Sequence, residues 1–204
     1  MVRFTGMRFE CVPGSLCLAF ADTARAEDKG EELHRIADVL QWAKEAGLLS
    51  AADCERLAAQ YDGNRRKTAA DFARAIAIRD LLLSVFSGIA NGRPLRNRDL
   101  SALNSALAQT PALLRIRARS GAFATNWDSA AGGLSQVLFP VLTDAASLIA
   151  SDRLGRVREC ASAECTCLFV DESRNGSRRW CDMNSCGNRM KARRHYEKSK
   201  SGIE

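Results

Sequence analysis

Two absences narrow the range of functions that this 204-residue sequence can support. No apolar run approaches ~18 residues, the length that a membrane-spanning helix needs, so we expect no transmembrane segment and no membrane partner. The sequence has only two histidines, His34 and His195, and it lacks a nucleophile elbow, a P-loop and the glycine pattern of a dinucleotide site. We therefore expect a binding protein rather than an enzyme.

The beginning of the sequence only partly resembles a secretion signal. Arg3 and Arg8 precede the stretch SLCLAFADTARA, which ends in an A-x-A-like pattern. Glu10, Pro13 and Gly14 interrupt the apolar core that a signal would need. We therefore expect a cytoplasmic protein, in which cysteines stay reduced. With 46% hydrophobic and 26% charged residues, the composition is typical of a globular chain.

The excess of positive charge is confined to one stretch of the sequence. Residues 1–172 contain as many acidic as basic residues, whereas residues 173–200 contain nine Lys or Arg and two acidic residues. A localised basic patch is typical of a surface that binds a polyanion. A solvated basic tail would have the same composition, so the charge alone leaves both interpretations open.

The first 150 residues are predicted to be mainly helical. Ser50 is placed to cap a short helix, with Asp53 three residues further on. Pro140 lies inside the otherwise continuous apolar face of 134–151, where we expect it to kink the helix and packing to tolerate it. Four longer segments have apolar residues at helical spacing: 31–47, 68–90, 99–109 and 134–151.

One segment departs from the helical pattern. Residues 113–127 alternate apolar and basic side chains and contain a two-residue turn signal at 120–121, which predicts a β-hairpin. We therefore predict a mainly α fold with a small β-hairpin. The composition turns polar and basic near 151–158. This change predicts a helical domain over 1–152 and a small four-cysteine module over 153–204.

Four cysteines form two pairs of equal spacing. Cys160 and Cys165 enclose four residues, and Cys181 and Cys186 also enclose four. Two such pairs, separated by a short spacer, are typical of a zinc site with four thiolates. Four thiolates leave no open coordination position on the metal, so we predict one structural Zn²⁺ per chain.

A fifth cysteine leaves alternatives open. In a strand formed by ECTCLFV, Cys165 and Cys167 share a face, so either sulfur could reach the metal. The matched spacing of the two pairs favours Cys165. A disulfide or a redox-sensing thiol pair is the competing explanation, and a disulfide would require an oxidising compartment.

The residues between and after the cysteine pairs combine a turn with a basic helix. CLFVDESRNGSRRWC predicts two strands joined by a turn at 174–176, and GNRMKARRHYEKS predicts a helix that begins at the metal. A metal-anchored basic helix suits contacts with phosphates and with a DNA groove. The predicted nucleic-acid contacts are Arg174, Arg178, Arg179, Asn188, Arg189, Lys191, Arg193, Arg194 and Lys198.

These motifs resemble known families. C-ASAE-C, FVDESRNGSRRWC and CGNRMKARRHY look like the CGNR-type zinc finger, a bacterial module, although Cys167 stands where we expect an aromatic or aliphatic residue. SLCLAFADT and the segment from Trp42 to Leu49 resemble the helical ABATE domain, which is described as a stress-induced transcription regulator. The resemblance implies DNA binding connected with transcription.

Two hypotheses of function follow. The first is a DNA-binding transcription regulator, in which the helical domain is a sensor or an oligomerisation unit. A single finger contacts few base pairs, so a homodimer would help specificity. The alternative is a zinc-stapled interaction module that binds RNA or an acidic protein without reading a sequence. A steep salt dependence that is equal for every nucleic-acid sequence would favour this alternative.

Overall fold

The structure is a computed structural model that describes residues 14–24, 31–110, 113–119, 122–128, 132–162 and 164–201. It is mainly helical and has two short antiparallel sheets within these ranges, which confirms the predicted fold class. The helices are α1 (Leu16–Ala21), α2 (Ile36–Glu45), α3 (Ala51–Ala59), α4 (Arg65–Ala90), α5 (Asn97–Ala108), α6 (Ser135–Ile149) and α7 (Asn188–Ser201). The strands are β1 (Leu113–Arg119), β2 (Ala122–Asp128), β3 (Val157–Glu159) and β4 (Leu168–Val170).

Side-chain hydrogen bonds cap the first turns of α2 and α3. The Asp38 carboxylate accepts hydrogen bonds from the backbone N–H groups of His34 and Arg35, so α2 begins at Ile36 rather than at residue 31. Ser50 accepts from the N–H of Asp53, which confirms its predicted role as a cap.

The short helix α1 lies at the centre of the helical core and was not predicted from periodicity. It packs against α4 and α6, and the Phe20 ring contacts the Trp42 ring in a tilted arrangement with the centroids 4.7 Å apart. The Asp144 carboxylate of α6 accepts hydrogen bonds from the Cys17 backbone N–H, at 2.8 Å, and from the Ser15 hydroxyl. These bonds fix the start of α1, since its first N–H groups have no partner within the helix.

The other predicted helices and the two strands of the predicted hairpin are also present. Helix α6 runs through Pro140, which is buried in the core. Strands β1 and β2 pair in antiparallel register from Leu113–Asp128 to Arg119–Ala122. The predicted turn at 120–121 lies outside the described residues. None of the described helices is both long and apolar enough to cross a membrane.

The second sheet differs from the prediction. Strand β4 pairs with β3, which precedes Cys160, and the predicted return strand that ends at Trp180 does not form. The N–H of Arg178 donates instead to the Asp171 carboxylate at 3.0 Å. The Asp171 side chain therefore holds the turn after β4 in place of the backbone hydrogen bonds of the predicted return strand.

Strand β4 joins two hydrophobic clusters through its alternating side chains. Leu168 and Val170 are buried in the helical core, together with Val157 of β3. Phe169 points to the other face and is buried among the cysteines. Strand β3 also packs against α4, and β4 packs against α1 and α4. The predicted domain boundary between residues 152 and 153 stays a prediction, because residues on its carboxyl-terminal side are also buried in the helical core.

Candidate functional site

The structure brings together the four cysteines that the spacing singled out. The sulfurs of Cys160, Cys165, Cys181 and Cys186 all lie within 4.8 Å of one another. The Sγ atoms of Cys165 and Cys181, and those of Cys181 and Cys186, are 3.6 Å apart. A tetrahedral zinc with bonds of about 2.3 Å to sulfur requires sulfurs about 3.8 Å apart. The cluster therefore fits one structural zinc ion, as the sequence predicted.

Each cysteine pair is held by a compact backbone turn. Cys160 donates its N–H to the carbonyl of Cys167 at 2.9 Å, and Cys165 donates to Ser162 at 3.0 Å. In the second pair, the Asp182 carboxylate accepts from the N–H groups of Asn184 and Ser185, both at 3.2 Å. These bonds shape the single π-helical turn over 183–187, from which α7 continues.

The four clustered thiols influence one another's ionisation, and a cation among them would favour the thiolate form of each. Contact with Cys160 raises the pKa of the Cys165 thiol to about 12, and contacts with Cys160 and Cys165 also raise the pKa of Cys181. Contacts with Cys165 and Cys181 lower the pKa of the Cys160 thiol to about 2. A negative charge on one sulfur thus opposes ionisation of its neighbours, whereas a divalent metal stabilises every thiolate.

Cys167 is not part of this cluster. Its side chain is buried beside the four cysteines whose sulfurs lie together. Cys165, which the matched spacing favoured, is the member whose sulfur faces the others. The expected departure from the family pattern at Cys167 therefore leaves the four-sulfur cluster intact.

Arg178 has a structural contact set that the sequence did not reveal. Its Nε donates to the carbonyl of Trp180 at 2.9 Å, and its Nη2 donates to the carbonyl of Cys181. The guanidinium also lies over the Phe169 ring, 4.6 Å from the centroid. Arg178 is half-buried and braces the backbone at the second cysteine pair.

The other predicted nucleic-acid contacts lie mainly on the surface. Arg179 is exposed, with its guanidinium 5.4 Å from the centre of the half-buried Trp180 ring. The side chains of Arg194 and Lys198 lie outside the described part of the chain. The remaining predicted contacts are exposed: Arg174, Asn188, Arg189, Lys191 and Arg193.

Two acidic residues that sequence reasoning missed organise this basic region. Asp171 is fully buried and accepts from the N–H and the hydroxyl of Ser173, besides the N–H of Arg178. An Asp followed two residues later by Ser, before Asn-Gly, is a turn signal that could have identified Asp171. Glu164 forms ion pairs with Arg189 and Arg193, and no local pattern marks it.

Hydrogen bonds attach the cysteine region to the helical core. The Asp22 carboxylate, at the end of α1, accepts from the buried N–H of Leu168 at 2.8 Å. The Glu159 carboxylate accepts from the Ser87 hydroxyl at 3.0 Å and from the Asn91 amide at 2.7 Å, both on or next to the end of α4. The metal site is therefore fixed to the helices through β3 and β4.

Comparison with known families agrees with this arrangement. Residues 14–152 match the ABATE family, described as "Putative stress-induced transcription regulator", and residues 156–199 match the CGNR zinc finger. A search of curated proteins found no match. Because the first match covers more than half of the sequence, the chain belongs to the ABATE family, and it carries a CGNR zinc finger after the ABATE region.

Proposed function

We propose that this protein is a DNA-binding transcription regulator that acts in the bacterial cytoplasm. Its zinc finger contacts the DNA, and its helical domain is a sensor or a dimerisation unit. The observation that carries the proposal is the concentration of exposed cations on the turn and the helix that flank the cysteine cluster. Residues 1–172, in contrast, have no net charge.

In this proposal each of the four clustered cysteines gives one thiolate to the zinc ion. The metal then has no open position for a water or a substrate, which fits a structural role rather than catalysis. Cys186 lies in the turn that leads directly into α7, so the metal fixes where the basic helix starts. Removal of the metal would leave this helix without its anchor.

The first residues of α7 are the best candidates for reading bases. Asn188 and Arg189 lie in its first turn and are exposed. Recognition helices commonly present their amino-terminal residues to base edges, where Arg pairs with guanine and Asn with adenine. Lys191 and Arg193 on α7, and Arg174 and Arg179 on the preceding turn, are exposed and suit phosphate contacts.

Three predicted contacts, Arg178, Arg194 and Lys198, have different roles in the proposal. Arg178 supports the site indirectly, because its guanidinium bonds to the carbonyls of Trp180 and Cys181. Arg194 and Lys198 are proposed as further phosphate contacts from their helical spacing alone. Contacts of these cations with phosphates strengthen binding to any nucleic acid and do not by themselves select a base sequence.

The experiment that tests the proposal is selection from a random duplex DNA pool on the zinc-loaded full chain. We expect an enriched motif, and a symmetric motif would indicate a dimer. Arg189→Ala should lose the motif and keep its zinc. Arg98→Ala is the matched control, because Arg98 is an exposed arginine on α5 of the helical region. Uniform recovery of all sequences, or none, contradicts the proposal and favours an interaction module for RNA or an acidic protein.

A further inference from the structure

We propose that Glu164 determines the specificity of the finger by holding Arg189 away from the DNA backbone. This inference rests on the proposed DNA binding and names a residue that regulates the same surface. Glu164 lies between Cys160 and Cys165, whereas Arg189 and Arg193 lie on α7, after Cys186. The contact therefore joins two segments that only the folded cysteine cluster brings together.

The geometry places one carboxylate against two turns of the basic helix. Arg189 Nη1 donates to Glu164 Oε2 at 3.2 Å, and Arg193 Nη1 lies 4.0 Å from Glu164 Oε1. The three side chains are about half exposed, at 47% for Arg189, 55% for Arg193 and 46% for Glu164. An approaching phosphate can reach the same guanidinium groups, so it competes directly with the carboxylate.

The competition affects non-specific DNA more than a specific site. A phosphate that takes Arg189 must displace Glu164 and then tolerate its negative charge nearby. A guanine can instead accept from the edge of Arg189 that Glu164 leaves uncovered, because only Nη1 donates to the carboxylate. The carboxylate then remains in place and orients the guanidinium for the base. Glu164 thus penalises binding to the backbone alone, which is a means of specificity.

The test compares Glu164→Gln with Glu172→Gln in the zinc-loaded full chain. Both substitutions remove one exposed negative charge from the same region, but Glu172 pairs with Arg153 rather than with α7. Affinity for a random-sequence duplex and for the selected motif is measured by fluorescence anisotropy, between about 50 and 200 mM salt. Zinc content and circular dichroism check that both variants are folded.

We expect Glu164→Gln to bind the random duplex roughly threefold to tenfold more tightly at low salt, because about one further phosphate contact forms. The slope of log affinity against log salt should steepen by about one for the same reason. Affinity for the selected motif should change less, so the specificity ratio falls. Glu172→Gln should change the random-duplex affinity by less than about twofold, as is typical of an exposed charge away from the interface.

Each outcome distinguishes the inference from the function on which it rests. If the wild type binds its motif and the two variants behave alike, the role of Glu164 is refuted and DNA binding stands. If the wild type binds no duplex, the proposed function fails. A double variant with Arg189→Ala completes the test, since the effect of Glu164→Gln should largely disappear in that background. An undiminished effect would show that Glu164 acts through general charge and would overturn the inference.

Discussion

The helical core and the cysteine cluster share one strand but are stabilised in different ways. The core buries large apolar side chains from α1, α2, α4 and α6, among them Phe20, Trp42, Phe86 and Leu138. The cluster buries little besides its sulfurs and Phe169. Apolar burial can stabilise the first region, whereas the second is too small for a core of its own and depends on the metal. Variants should therefore separate the stability of the core from that of the finger.

The largest expected effect follows from loss of the metal. Cys181→Ser should release zinc and unfold the finger, since structural zinc contributes about 10–16 kcal/mol in small zinc-binding peptides. Zinc content and far-ultraviolet circular dichroism measure the two losses. Cys54→Ser is the matched control, because Cys54 is a half-buried thiol on α3 outside the cluster and should keep its zinc. Full zinc content in Cys181→Ser would contradict the assignment.

A substitution in the helical core should destabilise the core without affecting zinc binding. Phe20→Ala should lower the free energy of unfolding by about 3–5 kcal/mol, because it leaves a cavity beside Trp42. The thermal midpoint measures this loss, and zinc content should remain at one ion per chain. Leu100→Ala, at a position that is 37% exposed, should change the free energy by less than about 0.5 kcal/mol. Equal effects of the two variants would refute the placement of α1 in the core.

The connection between the regions can be tested at the hydrogen bond from Leu168. Asp22→Ala leaves the buried N–H of Leu168 without this acceptor and should cost about 1–3 kcal/mol. Chemical denaturation measures the change. Glu159→Gln is the control, because glutamine keeps an acceptor for Ser87 and Asn91. If Asp22→Ala were no less stable than the control, β4 would not be tied to the helices through this bond.

The smallest expected effect is a difference between variants of the adjacent residues Arg178 and Arg179 in zinc binding and DNA binding. Arg178→Ala should weaken zinc binding by about tenfold, because its guanidinium braces the carbonyl of the ligand Cys181. Arg179→Ala should leave zinc binding unchanged and weaken DNA binding, since its side chain is exposed. Competition with a zinc chelator and anisotropy with DNA measure the two properties. The reverse pattern would contradict the different roles that we propose for these two residues.

The same contrast explains what the sequence could predict. The cysteine cluster was predictable because each pair is local and its spacing is visible in the sequence. The pairing of β4 was not, since its partner β3 lies before Cys160, outside the segment between the cysteine pairs, where the strand-like residues 177–180 were the expected partner. The six residues of α1 are too few for a periodic pattern. The contacts of Arg178 and Glu164 depend on tertiary structure, so they were also missed.

The most direct test of the account is a titration of duplex DNA with the full chain before and after removal of zinc. We expect chelation to abolish binding and added Zn²⁺ to restore it, because the metal anchors the start of α7 beside the clustered cysteines. The helical signal from the core should persist in the metal-free chain. Unchanged affinity of the metal-free chain for DNA would contradict the claim that the zinc finger forms the DNA-binding surface.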